Sequence, residues 1–239
     1  MCLDELMGRR ALGSDRPEDY IAWAVECLAG GSSSENVAIL AGLDLETPID
    51  KQEVHKYFQK ACRELGIEWP DKKVALRRYS EWLCRRLASG ELDRAQAVSQ
   101  LARLSPASGH LAPYRIWEEL EEDLWLMEDG GGLALFNRGL TLENTDEFIR
   151  QVAAQYLQLL AIDLPQNFFH LAYCSGCQAI HEPVAQRIDA PWWSRVTSLF
   201  VRRRRPEYEM ICHQCGSREI RYMYDFDARR AYLARSNSL

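Results

Sequence analysis

Through residue 165 the apolar positions recur mostly three and four apart, the spacing that gathers side chains on one face of an α-helix. Ile21, Val25 and Leu28 define the first such face, in a helix that Pro17 suits at its opening turn and Gly30-Gly31-Ser32 stops. A short helix follows through Val37, Ile39 and Leu40. Asp50-Lys51-Gln52-Glu53 has the form of a capping box, and behind it Val54, Phe58, Cys62 and Leu65 make an apolar stripe. Further helices are predicted over 71–88, with Ala75, Tyr79, Trp82 and Leu83 inward, and near 92–104, carried by Ala95, Val98 and Leu101. Pro113 opens another, placing Trp117, Leu120, Leu124 and Met127 inward and Glu118, Glu119, Glu121, Glu122 and Asp123 toward water. Gly130-Gly131-Gly132 breaks the pattern before a last helix over about 144–162.

After Asp163-Leu164-Pro165 the period falls to two. Residues 168–173 and 207–211 read as strands, each running into a cysteine. From Glu219 to Phe226, Ile220, Tyr222 and Tyr224 alternate with Arg221, Met223 and Asp225, as in a half-buried strand. A short helix over 227–235 follows. The expected fold class is therefore α+β: an all-α helical domain, residues 1–165, then a small β-rich domain, residues 166–239.

Composition sharpens this division. Residues 166–239 hold 11 arginines, no lysine and 7 acidic residues, a charge of +4, whereas 1–165 carry −10. Two units with different surfaces are implied, either because a basic ribbon meets nucleic acid or because the two parts attract each other. Aromatic residues make up 10% of the chain, which excludes a composition too poor to collapse. No run of apolar residues is long enough for a membrane span, and the opening Met1-Cys2-Leu3-Asp4-Glu5 is acidic where a secretory signal is basic. A cytoplasmic protein of bacterial type is the expectation. In that compartment the 8 cysteines point to metal or thiol chemistry rather than disulfides.

Four of those cysteines stand in two pairs, Cys174-x-x-Cys177 and Cys212-x-x-Cys215, each behind a predicted strand. Two intervening residues turn the backbone tightly enough for both sulfurs of a pair to reach one ion, and two such turns complete a tetrahedron. Gly176 and Gly216 supply permissive backbone there. The 34 residues between the pairs add little closure cost, since it grows only logarithmically with length. Over 168–226 the chain resembles zinc-ribbon proteins, which serve nucleic-acid binding, protein docking or plain structural stapling. One structural Zn2+ is expected; a rubredoxin-like iron site and a redox dithiol are the alternatives. Four thiolates leave no position for water, so the site is not expected to be catalytic. His170, His181 and His213 read as neighbours or surface residues, and Cys62 as a small core residue.

Between the pairs lies an unusual insert. If helical, Trp192, Trp193, Val196, Leu199 and Phe200 share a face, followed by Arg202, Arg203, Arg204 and Arg205. Arginines at a helix C-terminus complement its dipole without any ligand. Together with aromatics they also suit bases and phosphates, a protein partner, the acidic helical domain, or a membrane surface. No phosphate-cradling loop, metalloprotease helix or nucleophile elbow is present, and His55 and His110 have no recognisable partners.

The stretch Tyr20-Ile21-Ala22-Trp23-Ala24-Val25-Glu26-Cys27-Leu28-Ala29-Gly30-Gly31, with Ser34-Glu35-Asn36-Val37-Ala38-Ile39-Leu40-Ala41-Gly42-Leu43 and Arg86-Leu87-Ala88-Ser89-Gly90-Glu91-Leu92-Asp93, resembles a group of uncharacterised bacterial helical proteins, some of which accompany toxin or defence systems. The resemblance covers the first hundred residues and implies an immunity-type role without assigning one to any residue. The expectation is a zinc-binding, non-catalytic adaptor that binds a protein partner. Its rival is a nucleic-acid-binding regulator using Trp192, Trp193 and Arg202 to Arg205. An enzyme with a site in the helical domain comes third. Oligomeric state is not indicated.

Overall fold

The computed structural model describes residues 1–43, 49–129, 134–188 and 207–236. The chain forms two compact units, Met1–Glu118 and Glu119–Leu239, which divide within a helix. In chain order the helices are α1 (Leu3–Ala11), α2 (Pro17–Ala29), α3 (Glu35–Gly42), α4 (Lys51–Glu64), α5 (Lys72–Ala88), α6 (Arg94–Ala102), α7 (Leu104–Ala107), α8 (Arg115–Glu128), α9 (Thr145–Leu160) and α10 (Phe226–Ser236). The strands are β1 (Ala172–Cys174), β2 (Ile180–His181), β3 (Val184–Ile188), β4 (Glu207–Ile211) and β5 (Ile220–Tyr222). The α+β class expected from the periodicity is the one observed: helices first, and small antiparallel sheets near the C-terminus.

Side-chain oxygens satisfy the first-turn amides of several helices in the first unit. Ser34 accepts from the Val37 amide at 3.2 Å, Asp50 from Gln52 at 2.8 Å, Asp71 from Val74 at 2.8 Å and Asp93 from Gln96 at 2.9 Å. The core they position is aromatic at its centre. Phe58 meets Tyr20, Trp23 and Trp69 edge-on, with ring centroids 4.8, 5.1 and 5.4 Å away. Helix α1, absent from the sequence expectation, packs on α5 through Gly8. A Cβ at Gly8 would lie 2.0 Å from Tyr79 Cγ, so only glycine permits this approach.

Several predicted faces are rotated. In α2 the buried side chains are Tyr20, Ile21, Trp23 and Ala24, while Val25 and Leu28 are exposed. Two large aromatics bury more area than two aliphatics, and they set the phase. Leu65 and Ala95 likewise face outward.

The acidic run of α8 is not a uniformly solvated face. Glu119 is buried, and Asp123 is 0% exposed. The Asp123 carboxylate accepts from the amides of Leu135 (2.6 Å), Phe136 (3.1 Å) and Asn137 (2.7 Å) and from Asn137 Nδ2 (2.9 Å). It thereby fixes the chain that leads into α9.

In the second unit α9 packs against α10. Phe148 meets Phe226 at 5.0 Å, and the fully buried Arg229 donates from Nε to Gln155 Oε1 at 2.6 Å. Arg229 also donates to the carbonyls of Met223 and Tyr224. Burial, only partly relieved by Asp225, pushes its guanidinium down to about 9.

The strand predicted over 168–173 is shorter than expected. Phe168–His170 form a 3-10 turn, which lets Phe168 meet Phe169 (4.9 Å) and Tyr232 (5.0 Å), and β1 begins only at Ala172. The last strand is also cut short. Asp225 accepts from the amides of Asp227 and Ala228 and turns the chain into α10. Strand β1 lies between β2 and β5, antiparallel to both, with Ala172 opposite His181 on one side and Tyr222 on the other. Strands β3 and β4 form a separate two-stranded ribbon, with Val184 opposite Ile211 and Ile188 opposite Glu207.

Candidate metal centre

Both cysteine pairs fold into the same backbone turn. The Cys174 amide donates to the Ala179 carbonyl at 2.9 Å, and the Cys212 amide donates to the Ser217 carbonyl at 2.8 Å. The residue after each second cysteine takes the left-handed conformation: Gly216 with φ +70°, and Gln178 with φ 61°. Gly216 thus does what was expected of it, but Gly176 does not. The left-handed residue of the first turn is Gln178, while Gly176 sits against Ser217, whose Cβ is 3.4 Å from where a Gly176 Cβ would stand.

Strand β1 delivers Cys174, and the residue after β4 is Cys212, so the two turns face each other. All four sulfurs lie within 4.8 Å of one another. Cys174 and Cys215 are 3.6 Å apart, as are Cys177 and Cys212. Four thiolates around one tetrahedral ion with metal–sulfur bonds of ~2.3 Å would be separated by ~3.8 Å, so the arrangement fits a metal ion of zinc's size and ligand preference. Cys174 and Cys212 are buried, whereas Cys177 and Cys215 are exposed.

The electrostatics carry the same message. Burial opposes ionising Cys174, yet the Cys177 amide, the Cys215 thiol and the Gly176 amide hold it below the usual thiol range. Burial also opposes ionising Cys212, but the amides of Cys215 and Gln214, together with His181, bring it down to about 5. The other two sulfurs move upward. Against its Ala179 amide, Cys177 is raised by desolvation and by Cys212. Against its Ser217 amide, Cys215 is pushed up to about 12, first by the Cys174 thiol. Four thiols this close cannot all release their protons unless a cation balances them, and that is what a bound divalent metal supplies.

His181 joins the centre. Its Nε2 is 3.0 Å from Cys212 Sγ and its Nδ1 is 2.9 Å from the Glu182 carbonyl oxygen, while the His213 ring stands edge-on to it at 4.0 Å. Sequence reading placed His181 and His213 beside the site but gave neither a contact. His181 ends the short strand β2, four residues beyond Cys177. His170 is exposed. Trp192, Trp193, Arg202, Arg203, Arg204 and Arg205 lie outside the described residues.

One cluster in the first unit superficially resembles catalytic machinery. Ser105 Oγ donates to Glu118 Oε2 at 2.7 Å and lies 3.2 Å from His110 Nδ1, so His110 does have partners. Ser105 is completely buried, however, and serine and glutamate both face the same imidazole nitrogen. The histidine does not stand between them as a proton relay requires, and the group ties the segment before α8 to that helix. No helix among the described residues is long and apolar enough to cross a membrane.

Comparison with known proteins finds no family, no curated protein and no solved structure that matches this chain, so the resemblance of residues 20–43 and 86–93 to helical proteins of toxin systems gains no support there. The firm conclusion is chemical: Cys174, Cys177, Cys212 and Cys215 form a four-sulfur cluster arranged to hold a metal ion.

Proposed function

We propose that this chain is a zinc-binding, non-catalytic adaptor that binds a protein partner, with Cys174, Cys177, Cys212 and Cys215 holding one structural Zn2+. The observation that carries the reading is the ribbon beside the metal centre. Every residue of β3 is exposed, and Val184, Ile188, Tyr208 and Met210 offer large apolar side chains to solvent. The register puts Tyr208 and Met210 on one face of the ribbon, opposite Arg187 and Ala185, and Val184 and Ile188 on the other. The Tyr208 and Met210 face suits contact with another protein, since tyrosine and methionine are enriched where proteins bind. Zinc would crosslink the turn preceding the ribbon to the turn that follows it. It would supply rigidity only, since four thiolates leave no coordination position for a substrate.

The resemblance of the N-terminal stretch directs the search for the partner to bacterial toxins, for which the chain would act as an immunity-type inhibitor. The acidic run Glu118 to Asp123 would suit a basic partner, but the burial of Asp123 and Glu119 removes two of its charges and leaves the ribbon as the better-supported surface. The rival reading, a nucleic-acid regulator, rests on the arginine and tryptophan segment between β3 and β4 in sequence.

The test is affinity capture of the whole chain from its native cell, with and without nuclease. A defined protein should survive nuclease and be lost when Tyr208 and Met210 are replaced by serine, with metal content unchanged. Nucleic acid recovered without nuclease, and lost with salt or on replacing Arg202 to Arg205 by serine, would favour the rival.

A further inference from the structure

His181 stands against one sulfur of the site, just outside the group of four mutually close sulfurs. A carbonyl oxygen can only accept, so the 2.9 Å contact with the Glu182 carbonyl assigns a proton to His181 Nδ1. That leaves Nε2 as the atom directed at Cys212 Sγ, 3.0 Å away. Metal-bound histidines share this arrangement: one nitrogen donates to a backbone carbonyl while the other faces the ion. The backbone is fixed as well, because His181 in β2 pairs with Ala172 of β1, the strand that delivers Cys174. The His213 ring, 4.0 Å away and nearly perpendicular, limits its rotation.

We propose that His181 is a reserve ligand of the centre, able to complete a three-cysteine, one-histidine set in place of Cys212. The inference rests on the metal-binding reading above. No electrons move in the exchange: the proton that Nε2 shares with Cys212 Sγ leaves with that sulfur as a thiol, a neutral imidazole nitrogen replaces the thiolate, and the centre becomes one unit less negative. Zinc and cobalt accept both ligand sets in tetrahedral geometry. Position restricts the rescue to one cysteine. His181 contacts the sulfur of Cys212, whereas it lies outside the group of four mutually close sulfurs.

The test uses the full chain loaded with Co2+, whose thiolate charge-transfer absorption reports how many sulfurs are bound. Cys212→Ala should keep one equivalent of cobalt with charge-transfer intensity lowered by about a quarter, as one of four thiolates is lost. Adding His181→Ala to that variant should weaken binding at least about tenfold, whereas adding it to Cys174→Ala should change nothing. Equal cobalt affinity for Cys212→Ala with and without His181 would overturn the proposal. If Cys212→Ala loses its helical circular dichroism, His181→Ala alone decides: release to a chelator should be several-fold faster than from the unaltered chain, and an unchanged rate refutes the role. Failure of the unaltered chain to bind Co2+ or Zn2+ would remove the metal reading itself, an outcome separate from the His181 comparison.

Discussion

Replacing Asp123 by alanine should destabilise the second unit far more than replacing the exposed Glu122. The carboxylate receives four donors, three backbone amides and one side-chain amide, at 2.6 to 3.1 Å. A hydrogen bond to a charged acceptor is worth about 1.5–3 kcal/mol net, and a buried donor left without a partner costs about 1–3 kcal/mol. Leu135 is exposed, so its amide can turn to water when the carboxylate goes. Asn137 is buried, and its two donors cannot. Counting those two fully and the others lightly gives a cost of about 3–5 kcal/mol for Asp123→Ala. Glu122→Ala, on the exposed side of the same helix, should cost less than about 0.5 kcal/mol. Urea titration followed by circular dichroism measures the difference, and hydrogen exchange at the amides of residues 135–137 localises it. A cost below about 1 kcal/mol, or unchanged protection of the Asn137 amide, would refute the argument and restore the picture of a freely solvated acidic face.

Further outcomes follow from other contacts. Gly8→Ala drives a methyl group to within 2.0 Å of the Tyr79 ring and should lower stability by about 1–3 kcal/mol in thermal unfolding. Treating the metal-loaded chain with a strong chelator should expose the amides of β1, β2 and β5 to exchange while those of α2 and α4 stay protected, because a metal held by the four cysteines would tie only the two cysteine turns. Gln178→Gly relieves a left-handed residue and should leave metal affinity and stability unchanged or slightly raised, whereas Gly216→Val, forcing a β-branched residue into the same conformation, should cost about 1–3 kcal/mol and weaken metal binding. Arg229→Lys keeps the charge but loses the fork that reaches Gln155 and two carbonyls, and should cost about 2–4 kcal/mol in urea unfolding.

What the chain discloses unaided is what neighbours in sequence decide. Cys-x-x-Cys is such a pattern, since two residues suffice to make the turn, and the four cysteines that cluster were readable from spacing alone. The same holds for Asp50 and Asp71, whose carboxylates act on amides two and three residues away. The buried face of α2 was misread because Val25 and Leu28 fit the period as well as Tyr20 and Trp23 do, and only the surroundings of Phe58 choose between them. Asp123 was unreadable for a similar reason: its partners lie 12 to 14 residues away, and nothing in a run of carboxylates marks the one that turns inward. His181 meets Cys212 across 31 residues, through the pairing of β2 with β1, and no spacing rule reaches that far.

The seating of α1 on α5 has a bearing on how the chain is made. Residues 3–11 leave the ribosome before residues 72–88, yet the surface that receives their Gly8 face includes Tyr79 and is not complete until residue 88 has followed. Until then α1 has its contacts with α2, α3 and α4, through Leu6 in the cluster around Phe58 and Arg9 on Asp19, but its Gly8 face stays open. Nascent chains halted short of α5 should therefore hold a loose N-terminus open to proteases, and chains extended past α5 should lose that vulnerability. Any fragment cut for expression that ends before α5 would leave the Gly8 face of α1 uncovered.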